Sequence, residues 1–194
     1  MISSIRIAAV IMIYTTVVAQ SKIENPDSLA GFRGFDWNSS LESVRSNEKS
    51  GYMQTSITLN KKVLSFSGEV ENIKTRIDFV FEDDKLIEGS YSFDDLEDIK
   101  KVFYSIRNFI VKDYGHPDFG AVGRIDTDKI WVKVNNYGLF RGPELYWQFL
   151  NGFIAMLSSK YEDNITLTVL FVHNKTIKQY SEEILMPVDL FLIE

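Results

Sequence analysis

Two histidines and no cysteine bound the chemistry this chain offers. Nucleophilic catalysis needs an activated Ser, Cys or Thr with a base in reach. The only imidazoles are His116, between Gly115 and Pro117, and His173, at the end of an apolar run before Asn174. They read as a turn residue and a strand-end residue, and no Gly-x-Ser-x-Gly elbow accompanies them. Two acidic runs, Glu82-Asp83-Asp84 and Asp94-Asp95 with Glu97-Asp98, offer carboxylate oxygens. Neither has the spacing or central glycine of an EF-hand loop; a hairpin turn and a helix start account for them. Paired carboxylates that cleave glycosides have no linear spacing of their own. The stretch from Gly115 to Gly123 lacks the Lys-Ser/Thr that completes a phosphate-binding loop. No catalytic residue, metal ligand or cofactor site is expected.

The remaining chemical signal is aromatic. Tyr137, Phe140, Arg141, Tyr146 and Trp147 gather around Gly138 and Gly142. Tyr, Trp and Arg are the side chains that anchor interfaces. This stretch is therefore the expected recognition loop, for a protein or a small apolar ligand; the alternative is a loop that covers the core. A net charge of −6 without a long basic run lacks the footprint of a nucleic-acid binder or of a polybasic membrane patch.

Positioning such a loop needs a folded domain, and the chain of 194 residues, 45% hydrophobic and 25% charged, is suited to one. Residues 1–19 read as a signal peptide: Arg6 in a charged start, an uncharged stretch from Ile7, and Val17-Val18-Ala19 before Gln20 as the cleavage site. An uncleaved anchor is the alternative, but the stretch is shorter than the roughly 20 residues a spanning helix needs. Export to the periplasm or medium follows, with no stable membrane span after cleavage. Residues 20–30 form a polar, flexible lead-in, and 31–194 a single domain.

Phe32, Phe35 and Trp37 open that domain as a hydrophobic plug. Ser39 and Glu42 have capping-box spacing for a short helix carrying Leu41 and Val44. From Tyr52 the apolar period changes to two. Strands are expected around Ile57, around Val63–Phe66 with Gly68 at its end or a bulge, over Ile73–Glu82 with one wet face, and over Leu86–Phe93. Asp94 opens the main helix, whose stripe Leu96, Ile99, Phe103, Ile106 and Ile110 ends at Tyr114-Gly115 before Pro117. Asp118–Asp128 and Asn135–Pro143 read as loops, with a strand at Ile130–Val134 between them. Asn151-Gly152 marks a hairpin turn. Ile165–Val172 is a central strand. Asn174–Ile184 is a short helix, and Val188–Ile193 a tail strand.

This order resembles a group of small exported bacterial proteins of unknown function. The residues that carry the resemblance are Phe32, Gly34, Phe35, Trp37, Ser40 and Val44, Asp84-Lys85-Leu86, Tyr114-Gly115-His116-Pro117, and Trp131 or Trp147. By arrangement the chain is also similar to outer-membrane assembly lipoproteins and β-lactamase inhibitor proteins, which bind other proteins and catalyse nothing. It departs from the lipoproteins in having no cysteine for a lipid anchor.

The expected fold is α+β: a curved antiparallel sheet packed by one long helix and one short N-terminal helix. The resemblance implies a non-catalytic binding protein of the bacterial cell envelope. A carboxylate-based hydrolase and a carrier of a small apolar ligand are the alternatives. The expected partner is another envelope protein or a small apolar ligand, with no nucleic acid and no cofactor.

Overall fold

The structure is a computed structural model. It describes residues 26–175 apart from 59, 95, 97, 121–131, 134–138, 141–143 and 162–163, together with 179. The chain runs β1 (Gly31–Phe32), β2 (Phe35–Asp36), α1 (Leu41–Asn47), β3 (Gly51–Thr58), β4 (Lys61–Val70), β5 (Ile73–Glu82), β6 (Lys85–Phe93) and α2 (Ile99–Tyr114). It continues through β7 (Phe119–Gly120), β8 (Val132–Lys133), β9 (Leu139–Phe140), β10 (Leu145–Phe149), β11 (Gly152–Tyr161) and β12 (Asn164–His173). This is an α+β fold. Strands β1 and β2 make a small hairpin; the other 10 form one sheet in the order β3-β4-β5-β6-β12-β11-β10-β7. Strand β9 joins the second half of β11 and pairs with β8. All pairings are antiparallel.

Three tight turns set the register. Arg33-Gly34, Glu71-Asn72 and Asp83-Asp84 have positive φ at both central positions. That backbone matches the twist of the flanking strands. The turns join Phe32 to Phe35, Val70 to Ile73 and Glu82 to Lys85. A one-residue slip would turn every core side chain outward.

One face of the sheet carries the main core. Leu64, Phe66, Ile77, Phe79, Tyr91, Phe93, Trp147, Met156, Val169 and Phe171 pack there with Phe103, Ile106 and Ile110 of α2. Burying each such side chain contributes about 1.5–3 kcal/mol. Two of the three expected plug residues are part of this core, Phe32 being 1% exposed and Trp37 8%, while Phe35 packs against it only partly buried. Gly89 makes room for Phe32, because a Cβ there would lie 2.1 Å from the Phe32 ring. The ring centroid then sits 5.0 Å from those of Tyr91 and Phe171.

Several expectations need correction. The second face of the sheet is not simply wet: Phe153, Ala155, Leu170 and Val172 form a second buried cluster there, and Ser65, Ser90 and Ser92 are also buried. The long helix starts at Ile99 with Asp98 as its cap, not at Asp94. Phe93 pairs with Leu167 in the sheet, and the Asp94 carboxylate accepts from the Thr166 hydroxyl at 2.7 Å. Sheet pairing at Phe93 and the Asp94–Thr166 hydrogen bond thus hold the chain short of the helix start that local acidity suggests. The first helix is capped by Ser40, which accepts from the Ser43 N–H at 3.2 Å. Ser39 is committed elsewhere: its N–H donates to Asp36 and its carbonyl accepts from Leu86. Glu42 accepts from the Ser46 hydroxyl instead of reaching back.

Strand β4 runs through Gly68 without ending or bulging there. The hairpin turn near Asn151-Gly152 is Leu150-Asn151, since Phe149 pairs with Gly152. The Asn151 amide is used for docking. It accepts from the Leu29 N–H at 2.7 Å and donates to the Leu29 carbonyl at 2.9 Å. The Trp37 indole N–H donates to that same carbonyl at 2.7 Å, and the Leu150 N–H to Asp27 at 3.0 Å. Leu29 is fully buried, so the fold begins before Gly31 and takes the end of the expected flexible lead-in. Short strands β7 and β9 occupy stretches expected as loops. The leader, the tail strand and nearly all of the 174–184 helix lie outside the described residues.

Candidate functional site

The structure does not bring the expected recognition loop together among its described residues. Tyr137 and Arg141 lie outside them, and Phe140 is described only through its backbone, which pairs with Ser159 and Val132. Trp147 is corrected outright. It is 0% exposed, and its indole N–H donates to the Gly115 carbonyl at 2.9 Å. It fastens the end of α2 to the sheet and has no surface left for a partner. Tyr146 points to the other side of β10, half-buried beside Phe153, and its hydroxyl bonds the Gln148 amide oxygen. Alternation along a strand separates neighbours that sequence proximity had grouped.

Among the described residues, exposed large hydrophobics stand singly at Tyr104 of α2 and Leu150 of the β10–β11 turn, and together only at the far end of the sheet. Tyr52 is 49% exposed, Met53 53% and Ile57 74%, and all three belong to β3. One edge of β3 pairs with β4; among the described residues no strand pairs with the other. Edge strands are usually protected by charges, proline or a bulge. From Gly51 to Asn60 there is no charged residue and no proline. A bulge between Tyr52 and Gln54 leaves Met53 unopposed. Tyr52 is held from three sides: its ring meets Phe66 edge-on at 5.8 Å, the Arg45 guanidinium lies 5.4 Å from its centroid, and its hydroxyl is 2.9 Å from that of Thr55.

Met53 also lines an open groove of about 1270 Å³. Gly68 and Ile73 of the β4–β5 hairpin and Val102 of α2 line it too, with Glu71, Lys74 and Lys101 among its charged residues. The groove therefore continues from the β3 edge to the start of α2. Of the acids singled out by sequence, Asp83-Asp84 form a turn, Asp94 holds Thr166 and Asp98 caps α2; Asp95 and Glu97 lie outside the described residues.

Two polar clusters lie beside the core. Arg33 grips both carboxylate oxygens of Glu48 at 3.1 Å, and its guanidinium reaches Ser50 at 3.2 Å and Tyr91 at 3.5 Å. The Glu48 side chain is 4% exposed. Burial pushes the Glu48 carboxyl up, but hydrogen bonds from Arg33 and Ser50 outweigh it and hold the group below its ordinary range. Tyr91 is raised, chiefly by burial. His173 ends β12 as expected and stacks on Trp37 at 5.2 Å; burial holds its imidazole below the ordinary value. These clusters tie α1, β6 and β12 to the chain's opening.

No protein-family model matches the chain, and no curated protein or solved structure matches it. Sequence reasoning passed over β3 as a site. The available signal was the uncharged, proline-free stretch from Gly51 to Asn60, with basic residues at both ends.

Proposed function

We propose that this chain is a non-catalytic binding protein of the bacterial cell envelope that docks another protein along the outer edge of β3 and the adjoining groove. One observation carries the reading: β3 presents Tyr52, Met53 and Ile57 to solvent on an edge with no charged side chain to guard it. Such an edge offers main-chain hydrogen bonds as well as apolar contact. The structural tasks of Asp83, Asp84, Asp94 and Asp98 weigh against a carboxylate hydrolase. The openness and charge of the groove weigh against a carrier of small apolar ligands. The leader from Met1 to Ala19 supports export to the periplasm or medium. The reading includes the finer architecture, a curved sheet packed by one long helix, α2, and one short N-terminal helix, α1.

The test is quantitative capture from envelope extract with the purified chain and with Tyr52→Ala/Ile57→Lys. Circular dichroism confirms that both are folded. Specific partners captured by the parent are expected to fall at least about tenfold with the variant, the loss of about 1.4 kcal/mol of binding. Equal capture by both would contradict the assignment to β3.

A further inference from the structure

This inference rests on the binding reading of β3 and names the partner's chemistry. We propose that β3 accepts an added strand from a partner protein, with an uncharged centre and acidic residues at its ends. Gly51–Thr58 has 8 residues, which at about 3.3 Å each gives a rail of roughly 26 Å, interrupted near its start by the bulge at Met53 and regular from Gln54 to Thr58. Strand addition draws affinity from the main chain and specificity from alternate side chains. Tyr52 and Ile57 supply an aromatic and a branched contact at the two ends of that rail.

Charge selects the occupant. Exposed Arg45 and Lys49 precede the strand, and Lys61 and exposed Lys62 follow it. Glu48 lies among them but is committed to Arg33. Glu69 and Glu71 belong to β4 and its turn, one strand in from the edge, and extend past the start of β3. Lys61 and Lys62 likewise belong to β4, paired with Thr58 and Ile57, and Glu82 with the Asp83-Asp84 turn lies one strand further in at that end; the charges nearest the edge strand are basic at both ends. A second copy of this chain is a poor occupant. Antiparallel self-pairing lays the Lys49 end of one copy against the Lys61–Lys62 end of the other, and parallel pairing joins like ends. Like charges set opposite one another on paired strands are destabilising, and each whole chain carries −6. A neutral strand with acidic ends complements the edge in either direction.

The experiment uses the purified chain and fluorescein-labelled peptides with a Thr-Val-Thr-Val-Thr centre. One has Asp-Glu at each end, one has Lys-Lys at each end, and one is the acidic peptide N-methylated at alternate residues. The acidic peptide is expected to bind about tenfold tighter than the basic one, through its four end charges. N-methylation is expected to abolish binding, because it removes ladder donors while leaving side chains intact. Lys49→Glu/Lys62→Glu, both at exposed positions, is expected to reverse the preference. Equal binding of acidic and basic peptides, or full binding of the N-methylated one, overturns the proposal. A concentration-dependent dimer in sedimentation that Ile57→Lys abolishes makes a second copy the occupant and overturns it as well. If extract capture depends on β3 while no peptide binds, the added strand is wrong and the binding reading stands.

Discussion

Strands β3 and β12 both lack acidic and basic side chains apart from the terminal His173, and both carry isoleucine and threonine. Their surroundings differ completely. Strand β12 lies between β6 and β11, with Leu167, Val169 and Phe171 buried on one face and Leu170 and Val172 on the other. Among the described residues β3 ends the sheet, and from Gly51 to Ile57 none of its residues is buried. In β12 the uncharged composition is required by packing, since an unpaired charge between two covered faces would be costly. In β3 packing requires nothing of the kind. A charge-free edge that exposes Tyr52, Met53 and Ile57, guarded only by the bulge at Met53, is suited to contact with something else.

Substitutions measure that difference directly. Phe171 is 3% exposed, and its ring meets those of Phe32, Tyr91 and Tyr114. Phe171→Ala is expected to cost about 3–5 kcal/mol in urea denaturation. Ile57→Ala in the same assay should stay within about 0.5 kcal/mol. A cost at Ile57 comparable to that at Phe171 would mean that β3 is part of the packed sheet, and the comparison would break.

Asn151 sharpens the buried side. Its amide makes both hydrogen bonds to the Leu29 main chain, so Asn151→Ala is expected to cost about 1–3 kcal/mol, as for a partner lost from a buried polar group. Amide exchange should speed up at Leu29 and stay unchanged in β3. Faster exchange across the whole sheet would show that the strap is not a local device.

The pH dependence should likewise come from the buried side. His173 sits below its ordinary value through burial. Its contribution is present above about pH 6.5 and is lost as pH falls through the folded value. Glu48 is also depressed, burial being outweighed by Arg33 and Ser50. Its contribution is present above about pH 4.3 and is lost on further acidification. Tyr114 is pushed up to about 12 by burial, aided by Tyr91 and Asp113. Its contribution is present below about pH 10 and is lost as pH rises towards the folded value. Denaturation midpoints should therefore be flat between about pH 7 and 9 and fall on either side. Arg33→Ala should weaken the loss below about pH 4.3; an unchanged acid limb would remove Glu48 from this account. The smallest effect is expected at the edge itself: Ile57→Lys should leave stability within about 0.5 kcal/mol.

The strands were largely legible because alternation over a half-covered sheet is written locally. Ile73–Glu82 matches β5, and the run from Ile165 to Val172 lies within β12, between two other strands. The plug of Phe32, Phe35 and Trp37 was legible for a different reason: large apolar side chains follow a polar segment. The start of α2 was not, because acids at 94 and 98 look alike until Phe93 is seen paired with Leu167. Nor was the role of Trp147, since aromatic density is the same in a core and at an interface. Nothing in the residue types of Tyr52, Met53 and Ile57 sets them apart from ordinary strand residues, and a sequence does not state which strand is last in its sheet.

Crosslinking compares the two ends of the molecule most directly. A photo-reactive side chain at 57 probes the β3 edge. The same group at 150 probes the β10–β11 turn, where Leu150 is 89% exposed and so at least as accessible. With the chain expressed in an exporting bacterial host and irradiated in intact cells, discrete protein adducts are expected from position 57 and none from 150. Equal adducts from both, or adducts from 150 alone, would contradict β3 as the binding edge.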